Sequence, residues 1–401
     1  MDDVELAVRK AIAVQITDPY GLAGIPPEAG AVLAMLAADG SDPACAQPIP
    51  RGSSILPKSV PWSAGDKRPV ETPIAPPPSE TAALPQADWL VITWTRDEHR
   101  ALARVFTPEN PSGPHTEVDK WHPYRRNYES YTPDLRSYPP MDVHPAIFKN
   151  QLGSYWLCQV GQAKVVVFKS ELHMNRDGPK ALRDGRKLPL CRLIDQLVNE
   201  VHPKYLISTG TAGGTVEGHS LGDVVITTSG YFHCSDPKDF RRAPFNCKRF
   251  GQEYWVTERR ADRVQALMLG VEEPPFGPPH PSYPRTEPIK LPRTKPQVHE
   301  CPNLPILTTD YFEFGNTTNQ LGRLGCAVEM DDALIAMTCE EMPPELRPKY
   351  AFVRNISDPV INGNLARMSQ IMWAVFYYEN FGLLTSYNSA LTTWGIISGT
   401  E

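Results

Sequence analysis

The stretch Tyr205-Leu-Ile-Ser-Thr-Gly-Thr-Ala-Gly-Gly-Thr-Val-Glu-Gly-His-Ser-Leu-Gly-Asp-Val-Val-Ile-Thr-Thr-Ser-Gly-Tyr-Phe-His-Cys-Ser-Asp236 decides how the rest of the chain is read. Residues 205–207 are a short apolar run closed by a turn cluster, the pattern of a buried strand. Gly210-Thr211-Ala212-Gly213-Gly214 follows at once. Glycines directly behind a buried strand let backbone approach a ligand at the carboxyl edge of a sheet. A second apolar run, 223–226, comes one turn later and is ended by polar residues. Two strands are therefore predicted, with their ends converging on a small polar ligand.

Around this stretch the chain has 401 residues, room for one large domain or two ordinary ones. A hydrophobic fraction of 41% supports a sizeable core, and a net charge of −6 gives no reason to expect nucleic acid or membrane lipid as partner. The cysteines at 45, 158, 191, 234, 247, 301, 326 and 339 contain no Cys-x-x-Cys pair. Reduced, mostly buried thiols of a cytosolic protein are expected, not a disulfide framework or a zinc site. Asp2, Asp3 and Glu5 precede no long apolar block, so no signal peptide is expected. No run approaches the ~18 apolar residues of a membrane span.

Forty-two prolines punctuate the chain. Residues 1–40 carry helical spacing at Val4, Leu6, Ala7 and Ile12, then at Ala31, Leu33, Met35 and Leu36, and predict a small helical appendage. Residues 41–86, rich in Pro, Ser and Ala, read as an extended linker or poorly ordered arm. The main domain covers 87–401, with inserts at about 107–146 and 272–305. Within it, strands are predicted at 89–94, 304–309, 326–330 and 350–356, and a hairpin at 155–160 and 164–168. Helices are predicted at 98–105, 190–201, 258–269, 332–340 and 365–381. This alternation implies an α/β fold, a mixed central β-sheet flanked by helices, with the small helical N-terminal appendage beside it.

Four strand ends present candidate chemistry: Glu98, the Gly210–Gly214 cluster, Glu329-Met330-Asp331, and Ser357-Asp358. The order of these pieces resembles the purine nucleoside phosphorylase superfamily, and within it the methylthioadenosine/S-adenosylhomocysteine nucleosidases. The resemblance runs from about residue 87 to 381, interrupted by the inserts. It is carried by 91–98, by Gln159-Val160-Gly161 through Lys169-Ser170, and by the glycine cluster with Leu221-Gly222-Asp223-Val224-Val225. Phe232-His233-x-x-Asp236, Thr309-Asp310-Tyr311-Phe312, Val328-Glu329-Met330-Asp331 and Val353-Arg354-Asn355-Ile356-Ser357-Asp358 complete it.

The resemblance implies N-glycosidic bond cleavage, with Asp358 as the acid that protonates the leaving purine and Glu98 as the base that activates water. One protonated and one ionised carboxyl group is the general logic of glycoside hydrolysis. It also implies substrate contacts at Ser170, Thr211, Ala212, Gly213, Phe232, His233, Phe312, Glu329, Met330, Asp331 and Ser357. Met330 would pack on the ribose, Asp331 would hold its hydroxyls and Phe312 would stack on the base. No cofactor and no metal are expected, since His233 has no second ligand at suitable spacing. Relatives are often oligomers, so a homo-oligomer is expected, and residues 1–86 are a candidate site for a protein partner.

Phosphorylases of the superfamily carry an arginine-containing loop after the first strand and an arginine before the glycine cluster. Here those places hold 93–98 and Ile207-Ser208-Thr209, which favours water as nucleophile. Three departures matter: Asp331 where the family has glutamate, Thr95 where it has an apolar residue, and Glu171-Leu172-His173 with a basic insert after Ser170. His173, Arg176 and Lys180 are candidate phosphate ligands, so a nucleotide such as ATP or AMP enters as substrate. Some antiviral effectors of the superfamily cleave ATP, and the inserts are compatible with that.

Plainer readings stand beside these. Glu98 is also a favourable acid at a helix N-terminus. Asp358 before Pro359 also suits a turn. Phe312 and Met330 read equally as core, and the basic run 176–187 as a solvated face. A phosphate-dependent phosphorylase and a non-catalytic nucleotide-binding module remain alternatives. Glu313, beside Phe312, could read a ring N–H and so select a base other than adenine.

Overall fold

The computed structural model describes residues 5–7, 9–10, 12, 56–107, 117–135, 144–174, 187–234, 248–270 and 295–400. Thirteen strands of one mixed sheet run in chain order as β1 (Val70–Glu71), β2 (Trp89–Thr93), β3 (His122–Tyr124), β4 (Gly153–Val160), β5 (Ala163–Ser170), β6 (Tyr205–Gly214), β7 (Val224–Thr227), β8 (Ser229–Phe232), β9 (Arg249–Gly251), β10 (Val298–Glu300), β11 (Ile306–Thr308), β12 (Ala327–Glu329) and β13 (Lys349–Asp358). The helices are α1 (Arg96–Phe106), α2 (Tyr128–Leu135), α3 (Pro145–Lys149), α4 (Pro189–Val201), α5 (Ala261–Leu267), α6 (Asp332–Glu341) and α7 (Arg367–Gly399).

The strands at the centre are apolar on both faces because both faces are covered. Along β2, Trp89 and Val91 join a core with α1 and α7, while Leu90 and Ile92 join a second core with α4 and α6. In β13, Ala351 and Val353 go to the first core, Phe352 and Ile356 to the second. Each of the Val, Leu, Ile and Phe side chains among these contributes about 1.5–3 kcal/mol by leaving water.

β6 organises the sheet. Its first half pairs in parallel with β2, from Trp89 opposite Tyr205 to Ile92 opposite Ser208. Its other edge pairs in parallel with β13 along almost its whole length. At its carboxyl end Gly213 and Gly214 pair antiparallel with Val328 and Ala327 of β12. The glycine cluster, expected as a loop behind the strand, is thus the strand itself, held by ladders on both sides. In β13 the register shifts between Ile356 and Asp358, a bulge that sets Asp358 opposite Gly213.

α7 is 33 residues long and extends well beyond the helix predicted at 365–381. Its second half is rich in Thr, Ser and Asn, which reads as an ending in sequence. The sheet satisfies those groups: Asn355 donates to Thr385 (2.8 Å), Ser389 donates to Asn355 (2.9 Å), and the Thr393 and Thr209 hydroxyls are 3.1 Å apart. The proline-rich stretch read as linker packs on the domain from Leu56 onward. Val60 is buried, Trp62 meets Trp394, and the buried carboxylate of Asp66 takes the Arg263 guanidinium at 2.6–3.0 Å. Among the described residues no helix is long and apolar enough to cross a membrane.

Candidate active site

Glu98 enters the site through a capping box. Thr95 caps α1, and Glu98 is the third residue of that helix. Its Oε2 accepts from the backbone N–H groups of Trp94 (3.0 Å) and Thr95 (2.8 Å) and from the Thr93 hydroxyl (3.3 Å). Its Oε1 accepts from the Thr211 N–H (2.8 Å) and hydroxyl (2.7 Å). One carboxylate therefore joins the β2–α1 turn to β6. A Cβ on Gly210 would stand 2.5 Å from that carboxyl group, which is why the neighbouring strand residue has no side chain.

Asp358 is built differently. Its Oδ1 accepts from Ser357 Oγ at 2.8 Å, and its Oδ2 has no hydrogen-bond partner although the residue is buried. Burial pushes its carboxyl up to about 8, opposed only in part by the Ser357 bond. It is thus a carboxylic acid holding a proton at neutral pH. Thr211, bound to Glu98, and Gly213, opposite Asp358, are two positions apart on β6 and face the same side.

Beside them, on β13 next to β6, begins a buried charge network. Arg354 donates through Nε and Nη2 to Asp332 (2.8 and 2.5 Å), and through Nη2 to Glu329 (3.0 Å) and Ser208 (2.9 Å). Burial works against the guanidinium charge, and Asp332 and Glu329 more than offset it. Burial, followed by repulsion from Asp332, raises the Glu329 carboxyl well above the ordinary range, while Arg354 pulls it down. Glu329 also accepts from the N–H groups of Asp331 (2.6 Å) and Asp332 (3.0 and 3.1 Å), so its work is to hold the turn between β12 and α6. That turn presents Asp331, whose Oδ1 accepts from Met174 N (2.9 Å) and whose Oδ2 lies 3.1 Å from His173 Nδ1.

These groups line one cavity. Of the predicted residues, Glu98, His173, Thr211, Ala212, Gly213, Phe312, Glu329, Met330, Asp331, Ser357 and Asp358 are on its wall. Ser170, Phe232 and His233 are not. The Ser170 hydroxyl closes a local turn with Leu172 N and O. The Phe232 ring is buried edge-on against Phe250, 5.8 Å between centroids. The His233 N–H donates to Thr308 O at 2.8 Å, continuing the ladder between β8 and β11. Arg176 and Lys180 lie outside the described residues.

Trp94, Thr309, Val328, Arg354 and Tyr378 also line the cavity and were not singled out as site residues. Trp94 stands just before the helix cap and its indole donates to Ser208 (3.2 Å), a position the capping box could have flagged. Tyr378 comes from the middle of α7, where no local pattern marks it. Next to the site, Lys169 is wholly buried against Glu171, which Lys149 also reaches at 2.6 Å; burial brings Lys169 down to about 8. Among the described residues no group of three His, Cys, Asp or Glu is placed to hold a metal ion.

A mixed sheet covered on both faces, with a glycine-rich strand end between two carboxyl groups, defines a nucleoside phosphorylase-like α/β domain. The chain belongs to the phosphorylase superfamily, whose family model matches residues 139–367. No curated protein matches the chain. Among solved structures it is similar to the 5′-methylthioadenosine/S-adenosylhomocysteine nucleosidase of Neisseria meningitidis in complex with methylthio-immucillin-A, at 16% identity and TM-score 0.40, over 77% of this chain and 98% of that one. It is also similar to the Helicobacter pylori nucleosidase of the same name with butyl-thio-DADMe-Immucillin-A (12%, TM-score 0.44, 78% and 98% covered). The futalosine hydrolase of Helicobacter pylori strain 26695 is a third (13%, TM-score 0.42, 77% and 96% covered).

Proposed function

We propose that the protein hydrolyses the N-glycosidic bond of a purine nucleoside or nucleotide, releasing free base and the sugar. The observation that carries this reading is Asp358, a buried carboxyl pushed up to about 8 with an unpartnered oxygen on the cavity wall. Such a group can hand a proton to a purine ring nitrogen, so that the base leaves neutral while the C1′–N bond breaks. Glu98, on the same wall, takes a proton from the water that attacks the anomeric carbon as positive charge develops on the sugar. In this reading Asp331 holds the ribose hydroxyls, Met330 packs on the sugar face and Phe312 stacks on the base, all three lining the cavity.

Water is favoured over phosphate on electrostatic grounds. A phosphate dianion at the same place would meet the Glu98 carboxylate. The Arg354 guanidinium on the wall is already taken by Asp332, Glu329 and Ser208. Within this reading, the sequence's basic run, with Arg176 and Lys180, and His173 on the wall favour a 5′-phosphorylated substrate. ATP cleavage, and with it a part in antiviral defence, is the furthest form of that idea.

The test is to incubate the protein with adenosine, methylthioadenosine, AMP and ATP, with and without phosphate, and to follow free base by chromatography. Base release independent of phosphate is expected. Release only with phosphate would make the protein a phosphorylase, and no release from any of them would remove the catalytic reading for these substrates.

A further inference from the structure

The N-terminal segment, which the sequence suggests as a docking element for another protein, reaches the back of the protein's own cavity. Residues 5–7, 9–10 and 12 are helical. Arg9 is wholly buried. Its backbone carbonyl accepts from Phe312 N at 3.1 Å, and its Nη1 donates to Glu313 Oε1 at 2.6 Å. Its Nη2 lies 2.8 Å from Glu5 Oε1, which also takes Arg367 Nε at 2.7 Å. The guanidinium rests 4.8 Å over the Phe314 ring.

Phe312 and Glu313 line the cavity; Arg9 touches them from behind. Both oxygens of Glu313 are engaged, Oε1 by Arg9 and by Phe314 N (3.0 Å), Oε2 by the Tyr311 hydroxyl (2.5 Å). Glu313 also borders the acid. A Cβ on Gly213 would meet Asp358 Oδ2 at 2.7 Å and Glu313 O at 3.4 Å, so the two residues flank one glycine.

A carboxylate facing a purine discriminates by the N1 edge. It attracts hypoxanthine and guanine, which carry an N–H there, and repels adenine, which presents a lone pair. We propose that Arg9 is a positioning residue that sets base selectivity, withholding the Glu313 carboxylate from the base so that the cavity takes adenine. The inference rests on the hydrolase reading for its substrate. Charge on Arg9 and its fork geometry are both needed, because one side chain pairs Glu5 and Glu313 at once.

The experiment compares wild type, Arg9→Gln, Arg9→Lys and Glu313→Gln on adenosine against inosine and AMP against IMP, reading kcat and KM separately. Calorimetry with free adenine and hypoxanthine runs in parallel. Arg9→Gln is expected to shift the adenine-to-hypoxanthine ratio by about 10- to 100-fold towards hypoxanthine, the range for a hydrogen bond to a charged group. The change falls in KM and is smaller in Arg9→Lys. Glu313→Gln, with Arg9 intact, keeps the wild-type ratio and remains informative if Arg9→Gln does not fold. An unchanged ratio in folded Arg9→Gln, a uniform loss of kcat, or a shifted ratio in Glu313→Gln overturns the proposal. If wild type releases no base, the hydrolase reading falls, and the calorimetric ratio alone decides on Arg9.

Discussion

A Cβ on Gly213 would stand 2.7 Å from Asp358 Oδ2, which is the only buried carboxyl oxygen without a hydrogen-bond partner among the described residues. The free oxygen exists because the residue opposite has no side chain. Gly213→Ala pushes the added methyl into Asp358 and to 3.0 Å from the Val328 side chain. Base release is expected to fall at least ~100-fold with a stability loss of about 1–3 kcal/mol, the usual cost of overpacking. Turnover and urea denaturation of the purified variant check both numbers.

Asp358→Asn keeps the shape and removes the proton. Loss of a general acid is worth about 100- to 10,000-fold, and kcat should fall in that range with the fold intact by circular dichroism.

The raised Asp358 group also fixes the sign of two pH effects. In kcat/KM, activity is full while the acid is protonated and declines as pH rises through about 8. Stability moves the same way. The unfolded side chain ionises near 3.8 and the folded one near 8, so this group's contribution is fully present below 3.8 and is lost as pH climbs through 8. Each pH unit in that window costs about 1.4 kcal/mol from this group. Asp358→Asn has nothing to ionise, so it should gain on wild type between pH 5 and about 8.5 in urea midpoints. A wild-type profile that is flat across this window in both assays would contradict the assignment.

Glu98→Gln replaces an oxygen acceptor by an amide donor at a site where each carboxylate oxygen faces at least one backbone N–H group. Five hydrogen bonds converge on that carboxylate, so the amide nitrogen must face at least one N–H or O–H group. Base release should drop by ~100-fold or more. Stability should drop by about 1–3 kcal/mol from the unsatisfied donors, measured by denaturant titration.

Arg354→Met leaves Glu329 and Asp332 buried without their cation. A destabilisation of about 3–5 kcal/mol is expected by thermal or urea unfolding. Arg354→Lys keeps one charge but not the fork that spans Asp332 and Glu329, and should fall between the two.

Sequence patterns reached the core strands because β2, the middle of β5, the start of β6 (205–207) and 350–353 of β13 are apolar runs, and burial on both faces requires such runs. The order of motifs at strand ends pointed to Asp358 and Glu98, and the fold brings both to one cavity. The patterns stopped short of α7, whose polar second half is read as an end until Asn355 and Thr209 are seen to pair with it. Ser170, Phe232 and His233 sit inside family-like motifs, yet a local turn, an aromatic contact and the β8–β11 ladder engage them away from the cavity wall. Arg9 and Glu313 lie 304 positions apart, and no periodicity or spacing joins them. Tertiary pairing of this kind leaves no local trace.

β6 also bears on how the chain can change. Glu98 is tied to Thr211 and Asp358 to Gly213, so the spacing of the two carboxyl groups is measured along two residues of one strand, about 7 Å of backbone. Neither insert, at 107–146 or at 272–305, lies between those reference points. Both are partly built into the domain, through β3, α2 and the buried Trp121, Tyr124 and Tyr131 in one and β10 in the other, so a change in their lengths bears on the fold and not on the spacing of the two carboxyl groups. Gain or loss of one residue between Thr211 and Gly213 would instead turn the pair to opposite faces of the sheet.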